Sequence, residues 1–227
     1  MRHVASELDL TTLDAAAAVL KVPANTPGLG DIITAASELL ADWVGYPVHR
    51  RTGVVETCAG GASRLFLRSG SVRSVASITV FGAEREPSTW VVEDAVKGII
   101  LARREPWPFT GRTGGGVSEA PMYREDTGDI VVTFDAGWVT PGQVELAKAE
   151  NPASTLKSDL PAAFRQAALT TLTALFLDSG QHPNVTSMSL GGASIGFADS
   201  TQGGRPAVPL AARTMVARYR KHGRGAP

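Results

Sequence analysis

The sequence predicts an α+β fold: a small α-helical bundle formed by the N- and C-terminal helices, with an inserted antiparallel β unit of about six strands. Three observations predict it. Apolar residues recur at helical spacing in segments near both ends of the chain. Between residues 53 and 139 that period gives way to short runs rich in Val, Ile and Thr, punctuated by Gly, Ser and Asp. A long helical pattern then returns after residue 158.

The first helix is read over "LTTLDAAAAVLKV", residues 10–22. Thr11 or Thr12 can accept a hydrogen bond from a first-turn amide, and Asp14 suits the positive helix end. Pro23 to Gly30 interrupt it. "GDIITAASELLADWVGY", residues 30–46, is a stronger helix. Ile32, Ala36, Leu39, Leu40 and Trp43 are expected on one face, with Asp31 as N-cap and Gly45 and Pro47 ending it.

Six strands are expected over residues 53–59, 63–68, 72–82, 89–94, 98–102 and 129–139, with Val75, Ile78 and Val80 on a buried face. "AGGA" and "VKG" read as tight turns. Residues 103–128 form a loop long enough to suggest a function, and Trp107 and Phe109, each beside a proline, are its candidate anchors. Residues 140–158 read as an irregular linker in which "QVELAKAEN" can form one short helix.

The third clear helix spans 159–180, capped by Asp159, with Pro161 tolerated in the first turn. Its apolar stripe is Phe164, Ala168, Leu172, Leu175 and Phe176. Two short strands are expected around Gly191 and Gly192. A last helix over 207–223 carries Val208, Ala212, Met215, Val216 and Tyr219 on one side. The expected organisation is therefore 1–50 for the N-terminal helices, 51–139 for the β unit, 140–158 for the linker, and 159–227 for the C-terminal helices, hairpin and a basic tail.

Composition narrows the function classes. With 43% hydrophobic and 19% charged residues in 227, the chain can bury a sizeable core. No run of about eighteen apolar residues marks a membrane span. Glu7 and Asp9 fall where a secretory signal needs an apolar stretch. The single cysteine, Cys58, excludes an intrachain disulfide and fits a reducing compartment.

The search for catalytic chemistry finds no set. His3, His49, His182 and His222 stand apart, without HxxxH, HExxH or Cys/His spacing, so no metal or cofactor site is indicated. Cys58 lies in an expected strand and reads as a buried residue rather than a nucleophile. "GRTGGG" lacks the strand, helix and Lys-Ser/Thr of a phosphate loop. Glu84 with Glu86, and Asp126 with Asp129, read as solvated turn carboxylates.

Charge is the one asymmetry. Basic and acidic residues balance at 22 each, yet Arg205 to Pro227 hold six Lys or Arg and no acid. Such a tail can contact phosphates. It contains one aromatic, Tyr219, and no helix-turn-helix, zinc or RRM signature accompanies it. A membrane role finds few bulky apolar residues to insert. Basic residues in a last helical turn also suit the negative helix end.

The ordered set of segments resembles the phage head–tail connector, or adaptor, family of long-tailed bacteriophages, in its long form with a β insertion. "LTTLDAAAAVLKV" followed by "DIITAASELLADWVGYPV" resembles the family's opening. "RLFLRSGSVRSVASITVFG" looks like its strand pair. "IVVTFDAGW", then "DLPAAFRQAALTTLTALFLDSG", is similar to its third block, and "VPLAARTMVARYR" to its terminal helix. The likeness spans most of the chain. It departs at 140–158 and past Tyr219.

This resemblance implies a non-enzymatic structural protein of the virion neck, assembled in the host cytoplasm. It implies a ring, typically a dodecamer, beneath the portal protein, continuing the DNA channel and presenting a surface to a tail-completion or stopper protein. The C-terminal segment would dock on the portal, with Arg213, Met215, Arg218, Tyr219, Arg220, Lys221 and Arg224 as candidate residues. Trp107 and Phe109 are the candidate inter-subunit contacts. DNA in the channel is a possible second, non-specific partner of the basic charges. The alternative is a small nucleic-acid-binding protein using the basic C-terminal arm.

Overall fold

The computed structural model describes residues 5–108, 130–179, 187–190, 193–196 and 208–221. Among them the chain is α+β, and it divides into two units. One unit joins residues 1–45 to 139–220. The other holds residues 46–138 with 221–227. The two ends of the chain thus share a helical unit, and the β unit lies between them in sequence, as the change of period predicts.

In the helical unit, α1 (Leu13–Leu20) starts where Thr12 accepts a hydrogen bond from the Ala15 amide, and Asp14 lies in its first turn. Lys21, with φ 56°, ends it in the left-handed conformation. α2 (Leu29–Val44) corrects the expected cap. Gly28 is the N-cap, at φ 78° and without a side-chain bond, and Asp31 sits inside the first turn. A backbone turn from Thr26 to Leu29 delivers the chain, so the helix begins two residues before Asp31. Gly45, at φ 87°, ends α2 as expected.

The buried stripe of α2 is also rotated from the expected one. Leu29, Ile33, Ala36, Ser37, Leu40 and Val44 face inward, while Ile32, Leu39 and Trp43 lie half-buried at its border. The stretch 140–158 holds a third helix, α3 (Pro141–Glu150), with a capping box: Gln143 N–H donates to Thr140 Oγ1 at 3.1 Å, and Thr140 N–H to Gln143 Oε1 at 3.3 Å. α4 (Ala162–Ser179) packs against α1, α2 and α5 (Leu210–Val216), burying Phe164, Ala167, Ala168, Thr171 and Leu172.

Polar bonds fix the segment before α1. The Asp9 carboxylate accepts from the Ser6 amide and the Thr34 hydroxyl, each at 2.8 Å. Ser37 Oγ takes the Leu10 amide at 3.0 Å. Thr140 Oγ1 donates to the Glu7 carbonyl at 2.7 Å. Gly142 lies so close that a Cβ there would fall 1.9 Å from the Ser6 carbonyl oxygen, which explains the glycine. A separate antiparallel pair, β8 (Ser187–Leu190) with β9 (Ala193–Gly196), matches the expected hairpin strands.

The β unit is two antiparallel sheets. β1 (Arg51–Cys58), β7 (Ile130–Ala136), β3 (Val72–Val80) and β4 (Ala83–Glu84) form the first, in the order β1-β7-β3-β4. β2 (Arg64–Phe66), β6 (Ile99–Ala102) and β5 (Trp90–Asp94) form the second, in the order β2-β6-β5. Ile78, Val80, Ile130, Val132 and Phe134 of the first sheet pack with Leu65 and Ile100 of the second in one apolar core. In β3 the register against β7 shifts between Val75 and Ser77. This bulge accounts for the break in strict alternation between Val75 and Ile78, since an extra residue resets which side chains face inward.

Glu56 adds a polar clamp between the sheets. Its carboxylate accepts from the Arg68 amide at 2.6 Å, the Ser69 amide at 2.7 Å, and the Ser69 hydroxyl. Three donors on one carboxylate hold the chain leaving β2 against β1.

Candidate docking surface of the C-terminal helix

The last helix is shorter than its sequence pattern suggests. α5 ends at Val216 and continues as one 3-10 turn, Ala217–Tyr219. Pro209 precedes it with extended backbone, which sets the start at Leu210. Val208, Ala212, Val216 and Tyr219 are buried, so the expected stripe is correct at these positions. Met215 is the exception at 37% exposed, because the spacing 208, 212, 216, 219 leaves residue 215 at the edge of the buried arc.

Tyr219 is taken up within its own chain. Its ring lies 4.8 Å from that of Phe164 at α4's first turns, centroid to centroid, and it is 4% exposed. The basic side chains around it are held rather than extended. Arg213 Nε donates to the Val208 carbonyl at 2.6 Å. The Arg218 guanidinium lies 4.5 Å above the Tyr219 ring and donates to its hydroxyl. Arg220 lies 5.0 Å from the centre of the Trp43 ring, so it covers part of this half-buried side chain at the end of α2. Lys221 belongs to the β unit, where Nζ donates to the Arg68 carbonyl at 3.1 Å. Arg224 lies outside the described residues.

The helical unit therefore presents basic and apolar side chains along its last helix. The Arg218 and Arg220 guanidinium groups each lie over an aromatic ring, Met215 is exposed, and Leu210, at the start of α5, is 79% exposed. Leu210 was not among the candidate residues. It lies off the 208–212–216–219 stripe, and that off-stripe position behind Pro209 is the signal that marks it as outward.

Trp107, the candidate inter-subunit anchor, lies inside the β unit. It is 5% exposed and belongs to the β unit's own core. Its amide donates to the Ala62 carbonyl and its carbonyl accepts from the Gly61 amide, both at 3.0 Å. A Cβ on Gly60 would fall 1.8 Å from the Pro108 carbonyl oxygen. Within its own chain Trp107 packs between the "AGGA" turn and the apolar core. Phe109 lies outside the described residues.

Cys58 is buried, and its thiol is pushed up to about 12, first by burial and then by the Glu56 charge, with Arg68 opposing. It is therefore protonated at neutral pH and a poor nucleophile. Among the described residues no group of three or more His, Cys, Asp or Glu is placed to hold a metal ion, and no helix is long and apolar enough to cross a membrane.

No family model matches the sequence, and no curated protein matches it. Among solved structures, a chain described as "Neck of empty GTA particle computed with C6 symmetry" is similar over 100% of this chain and 98% of that one, at 14% identity and a TM-score of 0.46.

Proposed function

We propose that this protein is a structural head–tail adaptor: a ring-forming component of a virion neck that sits beneath the portal, continues the DNA channel and receives a tail-completion protein. The reading rests on the ordered resemblance of its segments to that family. The observation that carries it in the structure is the mixed basic and apolar patch along α5 and the turn that follows it. Arg218 and Arg220 lie over the Tyr219 and Trp43 rings, and Leu210 and Met215 are exposed. A preformed mixture of flat guanidinium groups and apolar side chains suits a protein surface, where Arg is enriched and ordering costs little. The protonated Cys58 agrees with a role that is not catalytic.

The same patch weighs against the nucleic-acid alternative. A phosphate-tracking arm works through mobile, solvated cations, whereas Arg213 and Arg218 are each engaged by groups of their own chain.

The test is to mix the purified protein with a portal protein from the same genome and look for rings by size-exclusion chromatography and negative-stain microscopy. A complex that loosens at high salt, and that Arg218→Glu with Leu210→Ser abolishes while the protein stays folded, is the expected result. Absence of any complex with wild-type protein defeats the reading. A salt-dependent DNA retardation lost on deleting residues 205–227 would favour the alternative.

A further inference from the structure

Among the described residues one sheet consists of two strands, β8 and β9. They run antiparallel and pair over all four residues of each. Each strand therefore has an outer edge that no further strand of the described residues takes up. A ribbon of two short strands is marginally stable by itself, and an open edge is a template for pairing with another chain.

Open edges are ordinarily guarded by charge, proline or a bulge. The edge strands of the β unit follow that rule. β1 carries Arg51 and Glu56 and a bulge between Arg51 and Val54. β4 carries Glu84, β2 carries Arg64, and β5 carries Glu93 and Asp94. β8 and β9 carry no such guard. From Ser179 to Ala198 the sequence holds no Asp, Glu, Lys or Arg, in a chain that is 19% charged overall. Charge is what the core of a protein contact sheds.

The register sorts the ribbon further. Ser187 pairs with Gly196 and Ser189 with Ser194, whereas Met188 pairs with Ile195 and Leu190 with Ala193. Successive pairs alternate between the faces of a pleated ribbon, so the serine pairs share one face and the apolar pairs the other.

We propose that β8–β9 is an assembly ribbon: the outer edge of β9 in one copy pairs with the outer edge of β8 in a second copy. Three features select a second copy as the occupant. β8 and β9 are antiparallel, so copy after copy extends one antiparallel ladder. Identical ribbons continue serine beside serine and apolar beside apolar on each face. A foreign strand on either edge leaves another edge open, whereas a closed circle of identical ribbons leaves none. Because the two edges differ, the contact is heterologous and propagates. Its closure into a ring rests on the adaptor reading above. The edge pairing itself rests on the unguarded edges, the charge-free stretch and the register.

Cysteine chemistry tests it, because Cys58 is buried. Full-length Ser189→Cys and Ser194→Cys proteins, each alone and in equal mixture, are oxidised mildly in solution and in rings assembled on the portal protein. Gly196→Cys replaces Ser194→Cys in a second mixture, to cover a register shifted by one pleat. A disulfide dimer is expected in a mixture and from neither variant alone. Dimers from the single variants in equal yield overturn the heterologous pairing. A further variant, Ser194→Pro, interrupts the ladder and should weaken self-association by about tenfold while the melting midpoint holds. Self-association like wild type overturns the proposal, as does a lowered midpoint, which marks a ribbon built into the core of its own chain. Rings that form on the portal without a cross-link in either mixture leave the adaptor reading standing and remove this contact. A cross-link in the chain alone with no portal complex does the reverse.

Discussion

Where α1, α2, α4 and α5 face one another in the helical unit, the buried positions are repeatedly alanine: Ala16, Ala36, Ala167, Ala168 and Ala212. Where the two sheets of the β unit meet, they are Ile78, Ile100, Ile130, Val132 and Phe134. Small residues let helices approach closely, but each removes little apolar area from water. The helical unit also buries large side chains, among them Leu29, Ile33, Leu40, Phe164 and Leu172, and adds polar bonds through Asp9, Ser37 and Thr140. The β unit relies on large cross-strand apolar pairs. The contrast teaches that the helical unit adds specific polar bonds to that apolar core, whereas the β unit depends on a broad packed layer between two sheets.

The largest expected effect is in that layer. Phe134→Ala should cost about 3–5 kcal/mol of unfolding free energy by urea titration. A loss below about 1 kcal/mol would mean the inter-sheet core is not what holds the β unit. In the helical unit, Gly142→Ala should cost about 1–3 kcal/mol, because its Cβ meets the Ser6 backbone rather than a movable side chain. Asp9→Ala leaves the Ser6 amide and Thr34 hydroxyl without this acceptor and should also cost about 1–3 kcal/mol. Glu38→Ala, on the exposed side of α2, should stay within about 0.5 kcal/mol. Equal effects at residues 9 and 38 would erase the distinction between clamp and surface.

Two further effects concern charge in the β unit. The Cys58 thiol holds its proton in the fold up to about 12 but loses it near 9 when unfolded. Stability should therefore fall as pH rises from 9 toward 12, and Cys58→Ala should flatten that slope, as read by thermal melts across alkaline pH. Smallest is the exposed ion pair in which Arg64 grips Glu93 through two bonds, at 2.5 and 2.6 Å. Arg64 holds the Glu93 carboxyl below its ordinary value of 4.5. Its contribution is present above that value and lost as pH falls through the lowered one. Arg64→Gln should shift the midpoint slightly at low salt and not at high salt.

Much of this architecture was legible. The runs 53–59, 72–82 and 98–102 became strands because β-branched residues between turn formers suit a pleated, half-buried surface. Thr12 and Gly45 acted at the helix ends their chemistry suggests. Other features were present but weaker. The string Thr140-Pro141-Gly142-Gln143 is a capping box with proline at the first helical position, so α3 could be read from it within a stretch that otherwise looks irregular. At the candidate site, the buried positions of α5 followed from spacing. The seating of Arg218 on Tyr219 and Arg220 on Trp43 did not, because it joins residues whose proximity only the folded helices create.

By itself the sequence determined the order of elements, the division into helical ends and a β centre, and the segregation of positive charge after residue 204, since period, propensity and charge are local properties. Tertiary structure alone decided which face of α2 is inward, that Trp107 packs into the core of its own unit, and that Phe81 stands exposed at a hairpin tip. Those outcomes depend on which distant backbone comes close enough to bury, clash or leave a side chain in water, and no local pattern encodes that distance.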